Sequence, residues 1–233
     1  MKFKIITTVL LTLVLAVMAF AGNRLNAGWE NLIKGDDLEG WVVKNGEHKY
    51  EQKDGVITGT SVLGQSNGFL CTKNNYGNFI LELEFLSDDK MNSGIMIRAL
   101  SKPEYNNGRV HGYQVEIDPA SRAWTGGIYD EARRGWLYDL RNNEAARNAF
   151  KHGEWNTLHI EAIGNHIRTW LNGVPCANLY DDMTAEGFIG LQVHSSKESD
   201  YKMQWRNIRI IDLGTTTNYP AKIKGHTPGW QYK

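Results

Sequence analysis

The sequence has only two cysteines, no net charge and no common metal or nucleotide motif. Its 26 basic and 26 acidic side chains cancel, so no charge excess predicts a nucleic acid or an anionic membrane as partner. Cys71 and Cys176 are compatible with a disulfide in an oxidising compartment and equally with two buried thiols. The sequence contains no His-Glu-x-x-His or Cys-x-x-Cys motif, which argues against a structural zinc site. It also lacks a Gly-x-Ser-x-Gly elbow and a phosphate-binding glycine loop.

The N-terminus has the features of a secretory signal peptide. Lys2 and Lys4 precede an apolar run at residues 5–20, and Ala19-Phe20-Ala21 supplies the small-x-small pattern of a cleavage site. The run is shorter than the roughly 20 residues that a membrane-spanning helix needs. We therefore expect a signal peptide at 1–21, with cleavage as late as residue 27. The mature protein is then periplasmic or extracellular and has no membrane anchor.

The dominant hydrophobic period is two residues, which is typical of half-buried β-strands. Alternating segments occupy residues 79–86, 93–100, 113–118, 158–162, 187–195 and 201–213. Turn signals separate them, and Asn172-Gly173 is the strongest hairpin signal. The pattern predicts one all-β domain at 28–213, a sandwich or barrel, followed by a polar tail at 214–233.

One segment, residues 119–152, interrupts the succession of strands. Loops of this length are usually functional or disordered, and this one is too aromatic for disorder. We therefore predict an ordered flap. Within it, residues 142–150 favour a short helix capped by Asn142 or Asn143.

Alternation also sorts polar side chains onto one strand face. If segments 93–100, 113–118 and 187–195 share a sheet, one surface carries Arg98, Gln114, Glu116, Asp118, Gln192 and His194. Polar outward faces are common and are usually only solvated. However, this set mixes amides, carboxylates, a guanidinium and an imidazole, so it is the candidate functional site.

Several motifs resemble the 3-keto-disaccharide hydrolase family. They lie at residues 32–41, 92–98, 112–118, 125–129, 153–156, 171–173, 187–194 and 206–208. The resemblance runs in order over nearly the whole chain from Trp29 to Leu213. It implies a concanavalin A-like jelly roll of two antiparallel sheets and activity on glycosides in an exported protein.

The resemblance implies a carbohydrate substrate whose C3 hydroxyl has been oxidised to a ketone. The C2 hydrogen is then acidic, and loss of the C1 substituent by elimination cuts the glycosidic bond before water adds. This chemistry needs a base, a group that stabilises the C3 enolate, and an acid for the leaving oxygen. Glu116 or His194 is the candidate base. Arg98 is the candidate for the enolate, and Asp118 or His194 for the acid.

Other polar and aromatic side chains are candidates for binding the sugar. Three amides would hold hydroxyls and three aromatic residues would face a ring: Asn92, Gln114, Gln192, Trp124, Trp136 and Tyr138. No nicotinamide is needed for this step, and the sequence predicts no particular cofactor. A divalent metal in the role of Arg98 is an alternative, with ligands from Glu116, Asp118 and His194.

Two functions of other kinds stay open on the residues alone. A conventional glycosidase could use Glu116 and Asp118 as its two carboxylates and would cleave unoxidised glycosides. A lectin-like module would bind carbohydrate without turnover, because jelly rolls often only bind. The sequence does not predict an oligomeric state.

Overall fold

The computed structural model describes residues 28–215, so the predicted signal peptide and nearly all of the predicted tail lie outside the described residues. In this range, fifteen β-strands and one short α-helix build two antiparallel sheets, which confirms the all-β jelly-roll prediction. No helix within 28–215 combines the length and apolarity needed to cross a membrane.

The larger sheet has eight strands in the order β13-β12-β11-β6-β15-β4-β3, with β1 also paired to β15. Its strands are β1 (Glu30–Asn31), β3 (Lys49–Lys53), β4 (Val56–Thr60), β6 (Asn78–Ser87), β11 (Asn156–Ile163), β12 (His166–Leu171), β13 (Val174–Tyr180) and β15 (Lys202–Gly214). We call it the eight-stranded sheet.

The second sheet has seven strands in the order β10-β9-β8-β7-β14-β5-β2. Its strands are β2 (Trp41–Lys44), β5 (Gly68–Thr72), β7 (Ser93–Leu100), β8 (His111–Ile117), β9 (Ile128–Glu131), β10 (Gly135–Tyr138) and β14 (Phe188–Val193). We call it the seven-stranded sheet. The three strands that the candidate site requires, β8, β7 and β14, are neighbours at its centre, as expected.

The core lies between the two sheets and follows from the alternation. In β6, Phe79, Leu81, Leu83 and Phe85 are fully buried, while the intervening side chains are only partly covered. In β8 every residue is buried, because Tyr113 and Val115 face the core and Gln114 and Glu116 are covered on the other side. This outer face of the seven-stranded sheet is therefore not an ordinary solvated surface.

The predicted flap at 119–152 is only partly correct. It is ordered, but it contains the β9–β10 hairpin, which extends the seven-stranded sheet beyond β8. The helix, α1 (Glu144–Arg147), is shorter than expected and is capped by Asn143, whose side chain accepts a hydrogen bond from the amide of Ala146. Irregular chain remains at 118–127, between β8 and β9.

The cysteines are both free and buried. Cys71 lies in β5 of the seven-stranded sheet and Cys176 in β13 of the eight-stranded sheet. Burial raises the pKa of Cys71 to about 12 and that of Cys176 to about 11. The sequence allowed either a disulfide or two buried thiols, and the structure has two buried thiols, which are protonated.

Candidate functional site

A pocket of about 340 Å³ opens on the outer face of the seven-stranded sheet. Six residues that the sequence singled out line it: Asn92, Gln114, Glu116, Trp136, Gln192 and His194. Five further residues complete the lining: Asn67, Arg109, Arg122, Tyr129 and Glu131. We call this cavity the first pocket.

Strand register explains how these side chains meet. Gln114 of β8 stands opposite Tyr129 of β9, and Tyr129 stands opposite Trp136 of β10. Side chains opposite one another in neighbouring strands share a face, so this row of three crosses the sheet. Glu116, two residues after Gln114, points to the same face.

The space above Glu116 and Gln114 exists because β7 has a glycine there. Gly94 pairs with Glu116, and a Cβ atom at Gly94 would lie 2.5 Å from side-chain atoms of Gln114. Any larger residue would therefore push the Gln114 amide out of place. The pocket depends on this missing side chain.

Two buried amides in the first pocket lack partners. Nε2 of Gln114 and Oε1 of Gln192 make no hydrogen bond, although the two residues are only 2% and 1% exposed. Buried polar atoms are nearly always paired, so each exception needs an explanation. An amide donor and an amide acceptor facing a cavity suit a ligand with hydroxyl groups.

Glu116 is the buried carboxyl of the pocket. Its Oε1 accepts a hydrogen bond of 2.7 Å from Nδ2 of Asn92 and one of 3.3 Å from Arg122. Burial raises its pKa from 4.5 to about 8, and the nearby Asp118 and Glu131 add to the rise. The bonds from Asn92 and Arg122 act in the opposite direction. A carboxyl with such a pKa is well matched to proton transfer near neutral pH.

Asp118 does not line the pocket and instead organises the loop that follows β8. Its Oδ2 accepts a hydrogen bond of 2.7 Å from Nε of Arg122, and its Oδ1 accepts one of 3.3 Å from the amide of Ala120. The hydroxyl of Thr125 donates to its carbonyl oxygen and accepts from its amide. Asp118 therefore positions Arg122, which reaches the pocket.

The aromatic candidates divide into a lining residue and supporting residues. Trp136 lines the pocket, and Trp124 packs edge-on against it with ring centroids 4.7 Å apart. The Arg122 guanidinium lies 5.0 Å from the Trp124 ring and 4.9 Å from the Trp136 ring. Trp124 and Tyr138 pack against the main core, so their expected contact with a sugar is not seen in the pocket geometry.

The placement predicted for Arg98 is wrong. Ile97 pairs with Tyr113 but Leu100 pairs with His111, so β7 contains one extra residue, a β-bulge. Arg98 has a left-handed φ of +46°, and its side chain turns toward the eight-stranded sheet. Successive side chains point to opposite faces of the sheet only while the strand pairing is regular. The bulge in β7 reverses the face to which Arg98 points.

The guanidinium of Arg98 is fixed by main-chain carbonyls. It donates to the oxygens of Gly77 at 2.6 Å, Gly164 at 2.7 Å and Ala162 at 3.0 Å. The residue is 1% exposed. Arg98 thus links two turns of the sandwich and is not positioned to stabilise an enolate in the first pocket.

His194 lines the rim of the first pocket, just after β14. Its Nδ1 lies 2.7 Å from the carbonyl oxygen of Ser195, so a neutral ring carries its proton on Nδ1. This leaves Nε2 for the pocket side. The amide of Ser195 in turn donates to Oδ1 of Asn67 at 2.9 Å, which steadies this rim.

Sequence reasoning missed Glu131 and its neighbours. Glu131 is 6% exposed, and its Oε1 lies 3.5 Å from Arg109 and 3.4 Å from Nδ2 of Asn67. Its strand, β9, was hidden in the expected flap, although Tyr129 and Glu131 alternate with the buried Ile128 and Asp130. That short alternation was the available signal.

The proposed metal ligands are not brought together. Among residues 28–215, no group of three His, Cys, Asp or Glu side chains is arranged to hold a metal ion. Asp118 is occupied by Arg122 and backbone amides, as described above. The geometry therefore gives no support to a metal centre made of Glu116, Asp118 and His194.

The sequence matches the family model of the 3-keto-alpha-glucoside-1,2-lyase-like domain over residues 28–211. The chain belongs to this family. Membership supports a carbohydrate-active function for this lyase-like domain, and the matched range contains every residue of the first pocket. Among curated protein sequences, none matches this one.

Solved structures share the fold of this lyase-like domain. Two candidate glycosyl hydrolases from Parabacteroides distasonis ATCC 8503 have TM-scores of 0.58 and 0.55 at 20% and 25% sequence identity. The first comparison covers 80% of this chain and 94% of that chain, and the second covers 79% and 99%. A carbohydrate binding module from Bacillus subtilis has a TM-score of 0.51 at 17% identity, covering 74% and 96%.

Proposed function

We propose that this protein is an enzyme that cleaves the glycosidic bond of 3-keto-glycosides by elimination at C2 and C1, followed by addition of water. The observation that carries the proposal is Glu116, a buried carboxyl with a pKa raised to about 8 in a pocket with two unpaired amides. Export is part of the proposal and rests on the sequence of residues 1–21.

The proposed reaction has two stages. A base takes the C2 proton, and the electron pair forms an enolate with the C3 ketone. When the ketone re-forms, a C1–C2 double bond appears, the C1–oxygen bond breaks, and the leaving oxygen takes a proton. Water then adds its oxygen to C1 while C2 receives a proton, so the net change is hydrolysis.

Glu116 is assigned as the base for C2. A carboxylate with a pKa of about 8 is a stronger base than an exposed carboxylate, and the acidity that a neighbouring ketone gives C2–H makes such a base useful. The amide of Gln192 lines the same pocket, and its unpaired Oε1 would accept from a sugar hydroxyl. The Glu116 proton is returned to C2 when water adds.

Arg122 takes the role that the sequence assigned to Arg98. Its guanidinium lines the pocket, 3.3 Å from Glu116, and it is held by Asp118 and by the two tryptophan rings. A preorganised cation beside a developing enolate is among the strongest devices for stabilising a transition state. The unpaired Nε2 of Gln114 is a second donor for the same oxygen.

His194 is assigned to the leaving oxygen. In its doubly protonated form, Nε2 donates to the oxygen that leaves C1. The neutral ring then accepts a proton from the water that adds to C1. Both His194 and Glu116 thereby return to their starting states after one turnover.

The deciding experiment uses matched plain and 3-keto glucosides, as methyl α- and β-glycosides, with purified mature protein. We expect cleavage of a keto form only.

Glu116→Gln should lower kcat/KM by ~10²-fold or more, the size of a general acid–base contribution. Arg122→Lys should lower kcat with less effect on KM, because a point charge replaces a fixed guanidinium. Arg141→Lys is the matched control, since Arg141 also lies over Trp124 but does not line the pocket.

Each contrary result points to a different function. Cleavage of the plain glycosides would support a two-carboxylate glycosidase and overturn the elimination mechanism. Binding of sugar without cleavage of any substrate would make the protein a lectin-like module. Full activity of Glu116→Gln would remove the assignment of the base.

A further inference from the structure

A separate cavity of about 380 Å³ opens beside β2, the edge strand of the seven-stranded sheet. Three lysines from three segments line it: Lys44 of β2, Lys73 after β5 and Lys102 after β7. Among the described residues, none lines both this cavity and the first pocket. We call it the lysine cavity.

The lysine cavity lies on the same face of the sheet as the first pocket. In β2, Val42 stands opposite Cys71, which packs with Phe188 in an apolar cluster separate from the main core. Phe188 lines the lysine cavity, and Gln192, in the same strand, lines the first pocket. Four residues of a strand span about 13 Å, so the two cavities are neighbours on this face but do not overlap.

The lysine cavity is a local concentration of positive charge in a chain with no net charge. Lys73 and Lys102 are exposed, and Lys44 is half-buried. Among the lysines of residues 28–215, Lys34 is the one that pairs with a carboxylate, and it lies elsewhere. No Asp or Glu of the described chain lines the cavity. Uncompensated like charges around a concave surface attract an anionic ligand.

The hydroxyl groups in the lining are already used by the protein. Thr72 donates to the Asn74 oxygen at 2.8 Å and accepts from the Ile189 amide at 3.1 Å. Ser101 donates to the Gly108 oxygen at 2.7 Å. The ammonium groups of the lysines therefore dominate what the cavity offers a ligand. Each has three N–H donors and no acceptor, which suits the oxygens of a carboxylate or a sulfate.

The rest of the lining includes apolar side chains, among them Val42, Leu100 and Phe188. Val42 is 39% exposed, and Nζ of Lys44 lies 5.9 Å from the centroid of the Phe188 ring, within the range of a cation–π contact. Cations thus stand beside apolar surface. The ring of a sugar acid matches this pattern, because it combines anionic oxygens with C–H surface.

Other anionic partners match the lysine cavity less well. A flat anionic membrane does not enter a concave site, and an inorganic anion leaves the apolar side chains uncovered. A peptide brings a backbone N–H with nearly every residue, and these donors find few acceptors among lysines. Sugar hydroxyls both donate and accept, so they avoid this cost.

We infer that the lysine cavity binds an acidic polysaccharide through its carboxylate or sulfate groups, as a non-catalytic site that holds the protein to the polymer. The inference goes beyond the proposed function and does not depend on it, since neither Glu116 nor His194 belongs to the lysine cavity.

The test is a calorimetric titration at low salt with two matched pairs of probes. The first pair is trigalacturonate and its methyl ester, and the second is a κ-carrageenan tetrasaccharide and its desulfated form. Hexaglutamate is the peptide probe. The variant is Lys44→Gln/Lys73→Gln/Lys102→Gln. The control, Lys49→Gln/Lys53→Gln/Lys202→Gln, removes the same charge from exposed positions on the eight-stranded sheet.

We expect wild type to bind at least one acidic probe about tenfold or more tighter than its uncharged partner. The cavity variant should lose about tenfold in affinity for that probe, the combined effect of three exposed ion pairs. The control should stay within about twofold, and added salt should weaken binding by wild type.

Three results would overturn the inference. Equal losses in the two triple variants would show that total charge, and not the cavity, attracts the probe. Binding of hexaglutamate as tight as that of the acidic sugars would identify an acidic peptide as the ligand. Failure of wild type to bind either acidic sugar would remove the site.

Activity separates this inference from the proposed function. The cavity variant should keep kcat/KM for a 3-keto-glucoside within about twofold of wild type, because the lysines lie outside the first pocket. Glu116→Gln should bind the acidic probe as wild type does. Loss of acidic-sugar binding in Glu116→Gln would place the probe in the first pocket and overturn the inference, whether or not any keto substrate is cleaved.

Discussion

Nδ2 of Asn92 donates a 2.7 Å hydrogen bond to Oε1 of Glu116. Asn92 lies just before β7 and Glu116 lies in β8, so the contact joins two neighbouring strands across the mouth of the first pocket. The bond stabilises the charged carboxylate and opposes the effect of burial on its pKa. The basicity of Glu116 is thus set by a balance between burial, which raises its pKa, and the hydrogen bond from Asn92, which lowers it.

Asn92→Ala should shift the pH dependence of kcat/KM to higher pH. With the 4-nitrophenyl 3-keto-glucoside, whose leaving group departs without needing a proton from His194, kcat/KM of wild type should rise with pH and level off above about 8, where Glu116 loses its proton. Removing the Asn92 bond raises the pKa of Glu116 further, so the rise occurs at higher pH. Initial rates from pH 5 to 10, corrected for the spontaneous decay of the keto substrate, measure the midpoint. Asn75→Ala, an exposed residue away from the pocket, is the control, and an unmoved midpoint in Asn92→Ala would contradict the assignment.

Glu116→Gln should stabilise the folded protein at alkaline pH. Below pH 4.5 the carboxyl is protonated in both states, and between 4.5 and about 8 the folded state keeps a proton that the unfolded chain has released. The stability of wild type therefore falls through this window and stays lower above it. The variant lacks this loss. At alkaline pH its free energy of unfolding should therefore exceed that of wild type by several kcal/mol, at about 1.4 kcal/mol per pKa unit. Urea denaturation of both proteins at pH 5 and pH 9 measures it, and equal differences at both pH values would contradict it.

Gln192→Met should separate stability from binding. The Oε1 atom of Gln192 is buried without a partner, so an apolar side chain of similar size should leave the free energy of unfolding unchanged or raise it by about 1 kcal/mol. The same change should weaken sugar binding and lower kcat/KM. Gln204→Met is the matched control, since Gln204 donates a hydrogen bond to Thr58 on the other sheet. A loss of stability without a loss of activity would show that the Gln192 amide serves the fold.

Arg98→Lys should destabilise the protein without removing catalysis. A lysine cannot reach all three carbonyl oxygens that the guanidinium pairs, and buried unpaired carbonyls cost about 1–3 kcal/mol each. We expect a loss of at least ~2 kcal/mol in urea denaturation, with kcat of the folded fraction within about twofold of wild type. Arg147→Lys on the exposed side of α1 is the control. Unchanged stability together with lost activity in Arg98→Lys would contradict this and indicate that Arg98 has a role in catalysis.

The sequence predicts the central strands well because their alternation is long and regular. Segments 79–86 and 93–100 correspond to β6 and β7, and Asn172-Gly173 forms the β12–β13 turn, with φ values of +50° and +80°. Strands β9 and β10 were not predicted because each has only four residues. A two-residue hydrophobic period over so short a segment cannot be distinguished from a loop.

The candidate site was predicted where side-chain direction follows regular pairing. Gln114, Glu116, Gln192 and His194 lie together for this reason. Arg98 was misplaced because one extra residue in β7 reverses direction, and a bulge leaves no clear signature in a single sequence. Arg122 comes from irregular chain and Glu131 from the four-residue strand β9, so only the tertiary structure places them in the pocket.

The connection between β7 and β8, residues 101–110, ends at Val110, which belongs to an apolar cluster separate from the main core. The proposed acid–base groups, Glu116 and His194, lie outside this connection. Its exposed tip, with Asn106 and Asn107, can therefore be exchanged as a unit while Val110 keeps its place in the cluster. Asn106 and Asn107 line a cavity of about 540 Å³ beside the first pocket, so libraries that randomise the tip would alter that cavity while the chemistry on the central strands stays constant. This protein is thus a suitable scaffold for evolving new glycoside selectivity by loop replacement.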